Sequence, residues 1–376
     1  MLRTTPSPLP TDAATLEALV RRLVPVLAIA ALLGVPACND DEPAGDDVVD
    51  EADGGADADA DADADAGADA DADADAGGLL IATTELPPAR VQIDYEMRLE
   101  ARGALGPLAW SLVSGALPPG LTLAADGTIA GRAERSGWYD FEVRADDGTS
   151  SDQVALAFKV PRVLLMSGFE PFGEFESNSS WDAIVPFDEA LIEGLDVRIV
   201  ELPVTWAGAW EPLAAEIERL EPDAVLATGQ AGPEGMRFET AAQNAMAGTD
   251  NDGVTMDGVP IVEGGTARLR ASYPIDEMRN AMDAAGFPTL ISANAGTYLC
   301  NYVMYRLLDF RAAAGGMPEV AGFLHVPPVP WEGGMTVEEI TAAHRAGIAA
   351  LATWFEAGGG TKARPPGIET PPRYFF

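Results

Sequence analysis

Arg162-Val163-Leu164-Leu165-Met166-Ser167-Gly168-Phe169-Glu170-Pro171-Phe172-Gly173 is the stretch that decides the fold. A continuous apolar run of strand length, Val163–Met166, ends abruptly in a loop stiffened by glycine and proline. Runs of the same kind follow at Val197–Val200, Ala224–Ala227, Thr289–Ser292 and Gly322–Val326. Between and after them the spacing predicts helices over Ala209–Leu220, Ile275–Ala285, Leu299–Phe310 and Val337–Glu356. Continuous apolar strands alternating with helices mark an α/β fold, a mostly parallel open sheet flanked by helices. Ligands of such sheets bind at the carboxyl ends of the strands.

Upstream of Arg162 the style is different. From Leu79 to Val160 apolar residues alternate with period two, as in Tyr139, Phe141, Val143 and again in Val154, Leu156, Phe158, Val160. Turn signals at Pro118-Pro119-Gly120, Asp126-Gly127 and Asp147-Gly148 cut this stretch into short strands, which predicts a small β-sandwich over 79–161. The run from Trp110 through Leu117-Pro118-Pro119-Gly120 and Gly127-Thr128-Ile129-Ala130-Gly131 to Trp138-Tyr139-Asp140-Phe141 resembles the immunoglobulin-like repeats of bacterial surface proteins. It holds no catalytic constellation, so a spacer or a binding module is expected.

The N-terminus reads as an export signal over 1–38. Arg21 and Arg22 precede the apolar run Leu23 to Val35, and Val35-Pro36-Ala37-Cys38 resembles a bacterial lipobox, which implies lipidation at Cys38. A plain signal anchor with an incidental cysteine is the alternative. Residues 39–78 carry 17 Asp or Glu and no Lys or Arg, much of it in an Asp-Ala repeat, which predicts a disordered acidic tether. Residues 358–376, rich in Gly and Pro, read as a tail. The expected location is therefore the cell envelope, with a membrane contact through the lipid. The chain's formal net charge of −37 argues against nucleic-acid binding.

With Cys38 assigned to lipid, Cys300 is the one free thiol, since the chain has two cysteines. It falls in Ala295-Gly296-Thr297-Tyr298-Leu299-Cys300-Asn301, where a helix opens after a strand. Unpaired N–H groups at a helix start favour a thiolate. A lone cysteine among apolar residues is also an ordinary small core side chain. His325 closes the strand in Gly322-Phe323-Leu324-His325-Val326-Pro327; His344, among charged and small residues, is expected at the surface. Gly229-Gln230-Ala231-Gly232 ends another strand and offers backbone groups to a ligand, without the lysine of a P-loop. Thiol, imidazole and the carboxylate of Glu239 are the three parts of a cysteine hydrolase. Two histidines and one thiol without ligand spacing do not make a zinc site, and no cofactor is expected.

Residues 162–357 resemble the type I pyroglutamyl peptidases, a cysteine peptidase family. The resemblance rests on Gly168–Gly173, Asn178 with Ser179-Ser180-Trp181, Gly229–Gly232, Glu239 five residues before Asn244, Ala295–Asn301 and Gly322–Pro327, in that order. It implies Cys300 as nucleophile, His325 as its ion-pair partner and proton donor, and Glu239 as the group orienting His325. It further implies that Phe169 and Phe172 line a pocket for the pyrrolidone ring, with Asn178 and Gln230 shaping the adjoining loops. The substrate would be a peptide with a blocked N-terminus. Two departures stand out. Gly232-Pro233-Glu234 replaces the family's Gly-Gly-Arg, and the stretch from Asn244 to Asn251 is about two residues shorter and lacks an arginine expected near the active site. Arg237 is the candidate replacement. A relative with altered N-acyl specificity and a non-catalytic surface protein that binds peptides are the alternatives, and the oligomeric state is left open.

Overall fold

The computed structural model describes residues 78–330 and 334–360. Cys38, the export signal, nearly all of the acidic tether and most of the tail lie outside them.

The centre of the molecule is a seven-stranded sheet. Its order is Leu191–Ile192, Leu195–Leu202, Arg162–Phe169, Ala224–Gln230, Val320–Val326, Arg237–Glu239, Leu290–Ser292. Four neighbouring pairs run parallel. The short strand Leu191–Ile192 is antiparallel to its neighbour, and so is Arg237–Glu239 against Val320–Val326. Ala224–Gln230 and Val320–Val326 are buried at every position. Helices cover both faces, so the strands read as continuous apolar runs.

Alternation sorts the residues between two cores. Val163, Leu165, Val225, Ala227, Ala321 and Phe323 pack with helices Glu211–Leu220 and Leu299–Ala313. Leu164, Met166, Ala224, Leu226, Val320 and Leu324 pack with Ile275–Ala284 and Val337–Glu356. The last helix begins in a capping box, Thr336 with Glu339, at the predicted position. Thr289–Ser292 is one of the apolar runs of the sequence. Its strand, Leu290–Ser292, is the sheet edge, and Leu290 and Ile291 are about half exposed.

His344 overturns its expected surface position. It is 1% exposed, because its helix packs against both the sheet and Ile275–Ala284 and buries a wide face. Nδ1 lies 2.9 Å from the Ile340 carbonyl oxygen. Burial pulls its pKa down to about 4, against the small opposing effect of that bond. The unfolded chain therefore binds a proton that the folded chain refuses. The associated stability is complete above the ordinary histidine pKa and falls as pH drops through the interval down to about 4. His344→Leu is expected to reduce the stability lost between pH 7 and pH 5 by about 2 kcal/mol, as read from urea melts at both pH values. Equal losses in the two proteins would contradict this.

The N-terminal residues form two three-stranded antiparallel sheets. One is Asp94–Arg98, Thr128–Arg132, Leu121–Leu123; the other is Ala109–Gly115, Gly137–Asp146, Ser151–Val160. They face each other across Trp110, Ile129, Phe141, Val143 and Phe158, with Tyr95 edge-on to Phe158. Only Pro161 separates Ser151–Val160 from Arg162–Phe169. The β-module is not a loose spacer. Arg90 bonds Asp196, a fully buried carboxylate of the α/β sheet, and Ser136 Oγ donates to buried Asp223 at 2.7 Å. Arg198 reaches back to the Val91 carbonyl. Buried charges need such partners, so the module completes the amino-terminal end of the sheet.

Candidate active site

At the carboxyl ends of the strands lies a cavity of about 300 Å³. Phe169, Phe172, Asn178, Gln230, Cys300 and His325 all line it. Tyr298, Leu299, Val204, Asn294 and Arg237 complete much of the wall.

Register explains the assembly. Gly229 pairs with His325, and His325 pairs with Arg237, so these residues form a row across three strands on one face. Glu239 pairs with Phe323 in the next row. The same face carries the helix Leu299–Ala313, and Cys300 is its second residue. The sulfur sits directly over Gly229. A Cβ at that position would lie 2.8 Å from Sγ and 2.7 Å from the Phe323 ring. The Gly229 loop was expected to offer backbone groups to a ligand. Gly229 itself is the last-but-one residue of its strand and clears the space that the thiol occupies.

Asn301 fixes the helix start. Its amide donates to the Gln243 and Ala245 carbonyls at 2.8 and 3.0 Å and accepts from the Gln243 N–H at 2.9 Å. Tyr298, the N-cap, makes no side-chain capping bond, so the first N–H groups of the helix face the cavity end without a side-chain acceptor at the cap.

His325 Nδ1 lies 2.8 Å from Glu239 Oε1, which leaves Nε2 for Cys300. Phe323 holds the imidazole edge-on, with ring centroids 5.0 Å apart. Burial lowers the pKa of the imidazole. Hydrogen bonding to Cys300 and Glu239, with their charges, outweighs burial and pushes it up to about 9. Glu239 is fully buried. Burial alone would raise its pKa, but hydrogen bonding to His325 and Ser292, then the charges of His325 and Arg237, bring it below the ordinary range. Tyr273 Oη donates to the Glu239 carbonyl at 2.7 Å and to that of Phe323 at 3.2 Å. Its ring rests on Gly322, where a Cβ would lie 1.6 Å from it.

Asn178 and Gln230 act on the backbone around the cavity. Asn178 caps the helix Ser179–Asp182 and donates to the Glu170 carbonyl at 2.9 Å. Gln230 Oε1 accepts from the Ser179 N–H at 3.0 Å, which fixes the amide and leaves buried Nε2 with no partner. Tyr298 was not predicted from sequence. It packs edge-on against Trp206 and donates to the Thr249 carbonyl, so the hairpin 246–259 forms part of the rim. Nothing in a single sequence marks that long-range contact.

A buried carboxylate, an imidazole and a thiol in line at the mouth of an open α/β sheet define a cysteine hydrolase. The family model described as pyroglutamyl peptidase matches residues 162–352. The pyrrolidone-carboxylate peptidase of Thermococcus kodakarensis is 40% identical over 167 residues, which is 44% of this chain and 80% of that protein. The enzyme of the same name from Escherichia fergusonii is 35% identical over 172 residues, 45% of this chain and 79% of that one. The solved pyrrolidone carboxyl peptidase from Thermococcus litoralis superposes with a TM-score of 0.50 at 29% identity, covering 56% of this chain and 99% of that one. The chain belongs to the pyroglutamyl peptidase family, a family of cysteine peptidases.

Proposed function

We propose that the protein removes N-terminal pyroglutamyl residues from peptides, with Cys300 as nucleophile. The observation that carries this is the pairing of His325 Nδ1 with Glu239 Oε1 at 2.8 Å, with His325 and Cys300 together on the wall of a cavity sized for a small acyl group. The thiolate attacks the acyl carbonyl. N–H groups at the start of Leu299–Ala313 receive the developing oxyanion. His325 passes its Nε2 proton to the leaving amine, which departs, and a thioester remains. His325 then takes a proton from water as the thioester is cleaved. Phe169 and Phe172 flank the flat ring, and the free Nε2 of Gln230 is available to a ring oxygen.

The test is a panel of aminocoumarin reporters carrying pyroglutamyl, prolyl and N-acetyl-alanyl groups. Release from the pyroglutamyl reporter at least about 100-fold faster than from the others is expected, because a site built to hydrogen-bond its ligand rejects analogues that leave its groups unpaired. A preference for another acyl group would favour the altered-specificity reading, which the shortened, arginine-less stretch from Asn244 to Asn251 motivates. No release from any reporter would sink both.

The location proposed is the cell envelope, through lipid on Cys38, and the two-sheet β-module is proposed as immunoglobulin-like. Both rest on sequence, the first on Val35-Pro36-Ala37-Cys38 followed by an acidic stretch. Cys38→Ser is expected to move the protein out of the membrane fraction. Retention there would remove the lipid-anchor proposal. Circular dichroism and solution NMR of residues 79–161 would test the sandwich assignment.

A further inference from the structure

We propose that Arg237 is a positioning residue that holds the Glu239 carboxylate in place under His325 throughout turnover. The proposal rests on the reading of Cys300, His325 and Glu239 as the reacting unit, and deepens it.

The strand Arg237–Glu239 is three residues long. Its middle residue, Phe238, is fully buried in the core on the far face, beside Tyr273. Alternation then sends Arg237 and Glu239 together to the reactive face. Arg237 Nε lies 3.5 Å from Glu239 Oε1, the same oxygen that meets His325 Nδ1 at 2.8 Å. Nη1 is anchored from the other side by Glu234 Oε2 at 3.0 Å. The guanidinium side chain is only 21% exposed and lies on the cavity wall. Glu239 thus has two cations on one oxygen, from two strands.

The second cation matters at one stage of the reaction. While His325 is protonated, Glu239 is balanced by the imidazolium. Once His325 has given its Nε2 proton to the leaving amine, a fully buried carboxylate faces a neutral ring. Such a group tends to take up a proton or to move toward water. Either change would loosen the Nδ1 bond just when the ring must turn base toward water. Arg237 keeps the carboxylate compensated in that state, and its own place is secured by Glu234. The titratable groups around this cluster are His325 on the neighbouring strand, Cys300 at the helix start, Tyr273 bonded to the Glu239 carbonyl, Tyr298 on the cavity wall and Glu234 in the preceding turn. All remain in the variants below.

The experiment reads Cys300 directly, without substrate. The rate of carboxamidomethylation by iodoacetamide is followed against pH in the full chain, with the label located on Cys300 by peptide mass spectrometry. The acid limb belongs to Glu239, His325 and Cys300 as a coupled unit, and removing a cation beside that unit makes its loss of a proton harder. The acid limb of the profile is therefore expected to move up by about one pH unit in Arg237→Gln. Arg237→Lys, which keeps the charge, is expected to return most of that shift. Arg237→Met keeps the apolar stem and gives the same comparison if the Gln variant does not fold. Coincident limbs in the wild type and the uncharged variants, with only the amplitude scaled, would overturn the role of Arg237 and leave the reading of Cys300 intact. Alkylation of wild-type Cys300 no faster at neutral pH than that of a free thiol would bring down the reading itself, and the proposal with it.

Discussion

Cys300→Ser is expected to melt as the wild type does and to lose at least about 10⁴-fold in kcat/KM on the pyroglutamyl reporter, because members of one catalytic unit fail together. The exchange keeps size and place. Asn301 still pins the helix start, and Gly229 still leaves room above the strand. What changes is the acidity of the nucleophile. A thiol can stand as a thiolate beside protonated His325, whose pKa is pushed up to about 9, partly by the thiol itself. A serine hydroxyl cannot hold that charge, so its proton must leave during attack, to a ring that still needs a vacant Nε2. The paired measurement is a thermal melt and a reporter progress curve. Retention of more than about 1% of the wild-type rate would contradict assignment of the nucleophile to Cys300.

Much of this arrangement was legible in the sequence, for reasons that differ by residue. The central strands announce themselves because both their faces are covered, as at Leu164 and Leu165, which belong to opposite cores. Their ends were set short. Arg162–Phe169 and Ala224–Gln230 run on into the glycine phrases, since backbone pairing does not stop where apolar character does. Cys300 and His325 were visible as rare residues at a helix start and a strand end. The strand Arg237–Glu239 was not visible. Three residues with two charges carry no periodic signal, yet its antiparallel insertion is what places Glu239 and Arg237 against His325. His344 was misplaced because its charged and small neighbours suggested a solvent face. The helix packs against both the sheet and Ile275–Ala284, where small residues such as Ala343 and Gly347 are what close packing requires; a Cβ at Gly347 would meet Met282 Sδ at 3.2 Å. Docking of the β-module was equally hidden, since Arg90 and Asp196 are 106 residues apart and only folding brings them together.

Gly229 carries the other large effect. Gly229→Ala is expected to lower kcat/KM on the pyroglutamyl reporter by about 10²-fold, since displacing a reacting group by about 1 Å costs that much. The added Cβ would stand 2.8 Å from Cys300 Sγ and 2.7 Å from Phe323. Neither neighbour yields cheaply. Phe323 is fully buried and supports the His325 ring from below, so its displacement tilts the imidazole. Cys300 sits on a helix whose start is held by three Asn301 hydrogen bonds, so the thiol can escape mainly by rotating away from the strand and from Nε2. Overpacking of this kind costs about 1–3 kcal/mol of stability, which a domain of this size tolerates. The variant should therefore remain folded while its Cys300 alkylates more slowly at neutral pH, because the displaced sulfur loses its partnership with His325. A folded Gly229→Ala protein with wild-type alkylation and wild-type turnover would mean that the sulfur does not work from its position over this strand. The glycine would then serve the backbone of the 229–232 loop, as its sequence alone suggests.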